Sequence, residues 1–115
     1  MLDRAGMVTR LSALLEMNGV TNFSPITHSA EQARALPGTG HDWAYWEKTD
    51  KIFLSKCDEL WVLDIPGWNT SVGVMAEIDY FKKLRKPVRM ITFSPTSLTA
   101  MVIGEGEILK FEYQR

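Results

Sequence analysis

The sequence predicts one α/β domain spanning residues 1–115, with a small, mostly parallel sheet covered by helices. The length of 115 residues fits a single domain of common size. Short apolar runs alternate with segments of helical periodicity, which is the pattern of parallel-sheet proteins. The run LWVLDI at residues 60–65 is apolar almost throughout, as expected for a strand buried on both faces.

Each element is predicted from its pattern and its boundary residues. In the first helix, apolar residues recur at helical spacing and the stop signal Asn18-Gly19 follows them. Asp42 is a suitable N-cap for the second helix. The third helix is rich in cations at its C-terminus and ends at Pro87. We expect helices at 2–18, 42–57 and from 71 to 85 or 86, with strands at 20–23, 60–65, 88–93 and, at an edge, 108–113. We expect loops at 27–40, with one helical turn at 30–35, and at 66–70, and a short helix at 97–102.

A parallel sheet binds ligands beyond the carboxyl ends of its strands, so the loops at 24–40, 64–71 and 93–96 are expected to surround the site. Doubly wound domains normally begin with a central strand, whereas this chain begins with a helical segment. We therefore expect a sheet without the usual first strand, unless a partner chain completes it.

Composition excludes several classes of function. The net charge of -1 gives no strong attraction to nucleic acid or to an anionic membrane, and no apolar run approaches the roughly 20 residues of a membrane span. The N-terminus lacks the apolar segment of a secretory signal. Cys57 is the only cysteine, which rules out an intrachain disulfide and a cysteine-rich zinc site and favours the reducing cytoplasm. Two histidines alone do not argue for a metal.

The segment after the buried strand carries the first candidate site. Ser71 is placed to cap a helix, Gly73 lets a ligand approach the backbone, and the free amides of a helix start attract anions. Glu77, about one and a half turns further on, is placed to face the same cleft. The alternative is an ordinary N-cap serine and a surface glutamate.

The second helix places an acid among apolar residues. Asp50 shares one face with Trp43, Trp46, Phe53 and Cys57, at spacings of three and four. Apolar neighbours raise the pKa of a carboxyl group, which suits a general acid. Alternatively, Asp50 lies at the margin of this face and reaches water.

Two carboxyl groups in different surroundings predict a division of labour between attack and proton transfer, as in glycoside cleavage. Asp64 ends the buried strand and is placed to reach the cleft, and His28 is placed to bind phosphate or ribose, or has no role. The tryptophans at 43, 46, 61 and 68 either line a ligand pocket or fill the core.

The order of an aspartate on a helix, a buried strand, a loop and then S-x-G-V-x-x-E resembles the nucleoside 2-deoxyribosyltransferase superfamily. The form at residues 71–77 is most similar to the 2'-deoxynucleoside 5'-phosphate N-hydrolases. The strings HDWAYWEKTD, CDELWVLDIPGWNTSVGVMAEI and KKLRKPV look like a bacterial and phage branch of that superfamily. The resemblance covers roughly residues 23–88.

The resemblance implies a flavodoxin-like three-layer sandwich, usually dimeric, with no metal or organic cofactor. It implies that Glu77 is the nucleophile that attacks the anomeric carbon, and that Asp50 protonates the departing base or orients the sugar. Ser71 matches the ligand of the 5'-phosphate and Gly73 the glycine beside it, while Trp68 is placed to stack on a base. Family members begin with a strand and a loop that supplies part of the active site, and this chain starts after that point.

Three functions follow in order of preference. The first is an N-glycosidase that cleaves or transfers the base of a nucleoside or nucleoside 5'-monophosphate. The second is a non-catalytic binder of a nucleotide or an ADP-ribose-like ligand. The third is an interaction protein that keeps only the fold.

Overall fold

A computed structural model describes residues 3–38 and 43–114 as helices packed on a four-stranded sheet. The helices are α1 (Arg4–Met17), α2 (Pro25–Ala35), α3 (Trp43–Leu54) and α4 (Val72–Lys83), with a 3-10 turn at Trp68–Thr70. The strands are β1 (Leu60–Leu63), β2 (Val88–Ser94), β3 (Thr99–Gly104) and β4 (Glu107–Glu112). The α/β class is confirmed; the predicted helix cap, Asp42, lies outside the described residues.

The strand order is β1-β2-β3-β4, and this sheet is not the mostly parallel one that the sequence predicted. Only β1 and β2 run parallel, with Leu60 opposite Val88 and Leu63 opposite Ile91. Both other pairs are antiparallel. The reason is the length of the connections: a parallel crossover needs a dozen or more residues, as α4 provides, whereas β2, β3 and β4 are joined by short turns.

The turn between β3 and β4 fixes the final hairpin. Its two central residues, Glu105 and Gly106, have φ values of 52° and 77°. Positive φ at both positions is typical of the tight turns whose twist matches that of antiparallel strands. No short helix forms at 97–102: residues 97 and 98 lie in the turn after β2, and residues 99–102 belong to β3.

The main core lies between α1 and one face of the sheet. Leu11, Leu14 and Leu15 of α1 pack against Ile91, Ala100 and Val102 of the central strands. These α1 residues recur at spacings of three and four, so they form one apolar stripe. The predictions of α1, α3, α4, β1, β2 and the edge strand β4 are confirmed to within a few residues at their ends.

The opposite face of the parallel pair is covered by α4. Val62 alternates along β1 with Trp61 and Leu63, which face α1, and therefore points the other way. Ile78 and Phe81 of α4 are buried, and α4 contacts both β1 and β2. The β1–α4–β2 unit thus places the start of α4 just beyond the carboxyl end of β1.

The predicted strand at 20–23 does not form, because Asn22 ties this segment to α1. The side chain of Asn22 accepts from the Ser12 hydroxyl and donates to the Ser12 carbonyl, and its backbone N–H donates to Glu16. Residues 27–35, predicted as the first part of a loop, belong to α2 instead. Ser24 is the N-cap of this helix and Pro25 is its first residue. In the described part of the chain, no helix is both long and apolar enough to cross a membrane.

Candidate functional site

The start of α4 has the cap that the sequence predicted. Gly67, at a φ of 93°, leads into the 3-10 turn, after which Ser71 accepts a hydrogen bond from the Val74 N–H at 3.4 Å. Gly73 lies in the first helical turn, where the backbone N–H groups have no partner within the helix. This end of α4 therefore presents partial positive charge next to the carboxyl end of β1.

Glu77 is the strongly perturbed acid of the site. It lies on α4, and burial raises its pKa from 4.5 to about 7, with a further contribution from the negative charge of Asp50. A carboxyl group with such a pKa exchanges its proton near neutral pH, which suits a group that transfers protons or alternates between charge states. The charge effect also shows that Asp50 and Glu77, from separate helices, lie within electrostatic reach of one another.

Asp50 is almost completely buried on α3. Its side chain is 3% exposed, and its Oδ1 atom has no hydrogen-bond partner among the described residues. Burial raises the pKa of Asp50, and the charge of His28 opposes this effect. The position that the sequence predicted, inside an apolar face rather than at its margin, is confirmed. A buried acceptor without a donor is costly, and such atoms mark sites where a ligand or water completes the bonding.

An aromatic cluster includes Trp46 and Phe53, the residues that flank Asp50 on one face of α3. The ring of His28 lies 5.8 Å from that of Trp46, edge to face, and 6.2 Å from that of Phe53. Phe23 stacks on Phe53 at 5.0 Å and lies 6.0 Å from His28. The cluster thus joins α2 to the face of α3 that carries Asp50.

The N-termini of α3 and α4 approach each other near this cluster. A Cβ atom built on Gly73 would lie 3.9 Å from the Cβ of Trp43, which is an ordinary contact. Trp43 is half-buried. The helix start capped by Ser71 and the aromatic face of α3 are therefore neighbours, and Glu77 lies one turn beyond Gly73.

Asp64 and Trp68, two of the predicted site residues, form no hydrogen bond to the Asp50–Glu77 pair in the described part of the chain. Asp64 follows β1 with an exposed side chain, and its N–H donates to the Ile91 carbonyl at 2.8 Å. Trp68 is half-buried in the 3-10 turn.

Comparison with known protein families gives one match, which covers most of the chain. A sequence model described as a domain of unknown function, DUF1937, matches residues 3–93. The chain belongs to the DUF1937 family. No curated protein and no solved structure matches the chain. The match extends from the N-cap of α1 to the last residue but one of β2, so it includes every candidate site residue, whereas β3 and β4 lie beyond it.

Phe23 and Gln32 contribute to the site but were not singled out in the sequence. Phe23 packs on the site rings, and the Gln32 side-chain nitrogen lies 3.1 Å from His28 Nε2. The signal that points to both is Ser24-Pro25, an N-cap followed by a proline at the first helical position. A helix beginning there places His28 and Gln32 on one face, at spacing i and i+4.

Two cavities lie elsewhere in the described part of the chain. One, of about 700 Å³, extends over the antiparallel strands and is lined mainly by polar residues such as Thr92, Ser94, Thr99 and Lys110. The other, of about 300 Å³, lies between α1 and α2. Neither is lined by Asp50 or Glu77, and no group of three acidic, histidine or cysteine side chains among the described residues is arranged to hold a metal ion.

Proposed function

We propose that this protein is an N-glycosidase that cleaves or transfers the base of a nucleoside or nucleoside 5'-monophosphate. The observation that supports it is the pairing of Asp50 and Glu77, whose carboxyl groups come from separate helices, with the charge of Asp50 contributing to the raised pKa of Glu77. Both pKa values are raised, so the pair retains a proton where isolated carboxyl groups have lost theirs. One ionised and one protonated carboxyl group is the state that glycoside cleavage requires.

The proposed reaction has two steps. Ionised Glu77 attacks the anomeric carbon as the bond from that carbon to the base nitrogen breaks, and the electron pair of the bond moves to the base. Protonated Asp50 gives its proton to the base. Water then attacks the same carbon and displaces Glu77, while Asp50 takes a proton from this water. An acceptor base in place of water would give transfer instead of hydrolysis.

The surroundings of the pair fit the parts of such a substrate. The amides at the start of α4, with Ser71 and Gly73, provide an anion site for a 5'-phosphate. Trp43 and Trp46 offer apolar surface for the base. Trp68 and Asp64 would contact the same base if the ligand extended to the loop before α4. His28 lies against Trp46 and is close enough to contact base or sugar.

The resemblance to the nucleoside 2-deoxyribosyltransferase superfamily also leads to proposals about the fold relationship, the oligomeric state and the cellular compartment. The parallel β1–α4–β2 unit is the part of the sheet that fits a flavodoxin-like relationship to the nucleoside 2-deoxyribosyltransferase superfamily. We also infer a cytoplasmic homo-oligomer, a dimer in the simplest case, that acts without a metal or organic cofactor and binds neither nucleic acid nor membranes.

A non-catalytic nucleotide binder is the second candidate function. It is favoured by the pKa of Glu77, because about half of the molecules carry a protonated Glu77 at pH 7. A protonated carboxyl group cannot attack a carbon atom, but it can donate a hydrogen bond to a base or a sugar hydroxyl. The binder and the glycosidase therefore differ in whether base is released.

Base release from a panel of nucleosides and deoxynucleoside monophosphates, followed by chromatography, distinguishes these functions. We expect release by the native protein, loss of release in Glu77→Ala, and a decrease of roughly 10²–10⁴-fold in Asp50→Asn. The matched control is Asp79→Asn, because Asp79 is an exposed acid on the same helix, paired with Lys83 at 3.0 Å.

The outcomes are distinct. Base release that persists in Glu77→Ala contradicts the proposed nucleophile, and an unchanged rate in Asp50→Asn removes that residue from the reaction. Thermal stabilisation by a nucleotide without base release supports the binder. If activity is present, it should fall above about pH 7, because the pair then loses its last proton and cannot protonate the leaving base.

A further inference from the structure

The strand β4 forms a free edge of the sheet. The strand order ends at β4, and no other strand in the described part of the chain pairs with its outer side. The Tyr113 N–H donates to the Leu98 carbonyl at 3.1 Å, so the main-chain groups of Tyr113 face β3. Because these groups alternate in direction along an antiparallel strand, those of Ile108, Lys110 and Glu112 point away from β3. They are available to a further strand.

This edge lacks the devices that commonly prevent strand pairing. Folded proteins block a free edge with a proline, a bulge or a covering segment. The strand β4 has no proline, and its six residues pair with β3 in an unbroken register. At one end, the Glu112 carbonyl accepts from the side chains of Asn18 at 2.9 Å and Gln114 at 3.2 Å. A carbonyl oxygen has two lone pairs, so the bond from Asn18 leaves room for a main-chain N–H in place of Gln114.

The side chains of β4 are incompletely covered on both faces. Leu109 and Phe111 point toward α1, where they pack against the main core and remain half-buried. Tyr113, which continues the same alternation, is 51% exposed, and Ile108 on the opposite face is 59% exposed. A neighbouring strand would remove apolar surface of these residues from water, which favours association.

The strand is complementary to itself in charge. Lys110 and Glu112 share the face opposite α1, and neither forms an ion pair with another described residue. A second copy that adds to this edge in antiparallel orientation is related by a two-fold axis perpendicular to the sheet. With Phe111 on that axis, Lys110 of each copy lies opposite Glu112 of the other. Phe111 then meets its own counterpart, and Leu109 meets Tyr113, so charged, aromatic and apolar pairs are all favourable.

The neighbouring registers of the same arrangement fit less well. An axis through Lys110 places the two lysines opposite each other, which is destabilising. An axis through Leu109 places Lys110 opposite Ile108 and leaves Glu112 without a cation. The register centred on Phe111 is therefore the one that pairs both charges and also aligns the outward main-chain groups of Lys110 and Glu112.

We propose that the edge of β4 is the docking surface for a second copy of this chain, with Phe111 on the two-fold axis. The two four-stranded sheets then form one continuous sheet that carries both copies of α1 on the same face. This inference gives a surface to the homo-oligomer proposed above. It does not rest on the glycosidase reaction, because β4 contributes no residue to the Asp50–Glu77 site.

Sedimentation equilibrium over a range of protein concentrations tests the proposal. We expect a dimer of the native chain. Lys110→Glu replaces two attractive pairs by two repulsive ones and should weaken dimerisation by about tenfold. Combining Lys110→Glu with Glu112→Lys restores both pairs with the signs exchanged and should recover the native affinity. The matched control is Lys82→Glu, the same charge change at an exposed position of α4, which should leave dimerisation unchanged.

Cysteine cross-linking tests the register in a Cys57→Ser background, which removes the only native thiol. Opposite residues that are not hydrogen-bonded to each other have Cα atoms about 4.5 Å apart, within the range of a disulfide. Phe111→Cys should therefore form a disulfide between two copies under mild oxidation. Leu109→Cys, which lies opposite Tyr113, should not.

Several outcomes would overturn the proposal. A native chain that is monomeric at every concentration excludes the interface, and a dimer that tolerates Lys110→Glu uses another surface. Failure of the exchanged pair to restore dimerisation, or a disulfide in Leu109→Cys instead of Phe111→Cys, contradicts the register. Base release is decided separately by Glu77→Ala, so failure of the proposed reaction leaves this test of the interface intact.

Discussion

At the scale of single residues, Glu77 makes the stability of the protein depend on pH. Its pKa is about 7 in the folded chain and is expected to return to its ordinary value of 4.5 on unfolding. Between these values the folded state binds more protons than the unfolded state, so the free energy of unfolding decreases as pH rises from 4.5 to 7. The decrease attributable to Glu77 is about 3 kcal/mol.

Urea unfolding followed from pH 4.5 to 7.5 measures this decrease. We expect Glu77→Gln, which is neutral at every pH, to show a clearly smaller loss of stability across this interval than the native protein. Asp79→Asn should leave the slope unchanged, because the Asp79 side chain is 65% exposed. Equal slopes in Glu77→Gln and the native protein contradict the assignment of the raised pKa to Glu77.

The chemistry of individual residues was partly predictable from the sequence. The spacing of Trp46, Asp50 and Phe53 predicted an acid on an apolar face, because helical geometry fixes which residues share a face. It left open whether this acid was buried or reached water. The contacts of His28 with Trp46 and Phe53 were not predictable in the same way. They depend on how α2 packs against α3, and this packing results from contacts between residues distant in sequence.

At the scale of elements, two glycines differ in what surrounds them. Among the described residues, a Cβ atom at Gly73 would meet only Trp43, at 3.9 Å, whereas a Cβ atom at Gly104 would lie 2.9 Å from Cγ of Arg89. Alanine is the better helix former, so Gly73→Ala should stabilise the protein by about 0.5–1 kcal/mol. Gly104→Ala should destabilise it by about 1–3 kcal/mol through overpacking.

Chemical denaturation of both variants measures this difference in stability. A destabilised Gly73→Ala would show that residue 73 is not in the first turn of α4.

The Gly73→Ala variant also tests the anion site. A methyl group in the first turn of α4 hinders close approach of a phosphate to the backbone, so nucleotide affinity should fall while stability rises. Unchanged affinity would place the phosphate elsewhere.

The elements themselves show where local patterns are sufficient. The strand β1 is predicted well because its run of apolar residues has polar neighbours on both sides. Residues 20–23 have suitable strand composition, but the side-chain bonds of Asn22 to α1 replace those of a sheet. The start of α2 carried a signal in Ser24-Pro25, whereas the polar composition after it obscured the helix.

At the scale of the whole molecule, the sheet changes direction where the connections shorten. Three helices precede β1, and α4 then connects β1 to β2, so the parallel arrangement of this pair follows from α4 as a crossover. Beyond Ser94 the turns are too short for a crossover, so β3 and β4 add as an antiparallel meander. Strand direction is thus predictable from the spacing of strands, provided that β3 is first recognised as a strand.

Arg89 connects these two parts of the sheet. It lies on β2 and is 7% exposed, with its Nε 3.0 Å from Glu59 before β1 and its Nη2 3.5 Å from Glu105 in the final turn. Its Nη1 donates to Glu107 at the start of β4 and to the Gly104 carbonyl. One buried cation therefore pairs with three carboxylates, one next to β1 and two at the turn between β3 and β4.

Removing that cation should weaken the whole domain. In Arg89→Met, the carboxylates of Glu59, Glu105 and Glu107 are left close together without a compensating charge, and we expect a lower melting temperature at pH 7. The control is Arg34→Met, because Arg34 and Glu31 are 73% and 67% exposed and such surface pairs contribute little. Below about pH 4, where carboxyl groups ordinarily take up protons, the repulsion is relieved and the deficit of Arg89→Met should shrink. A deficit that is the same at pH 4 and pH 7 would mean that Arg89 stabilises the sheet by packing of its side chain rather than by its charge.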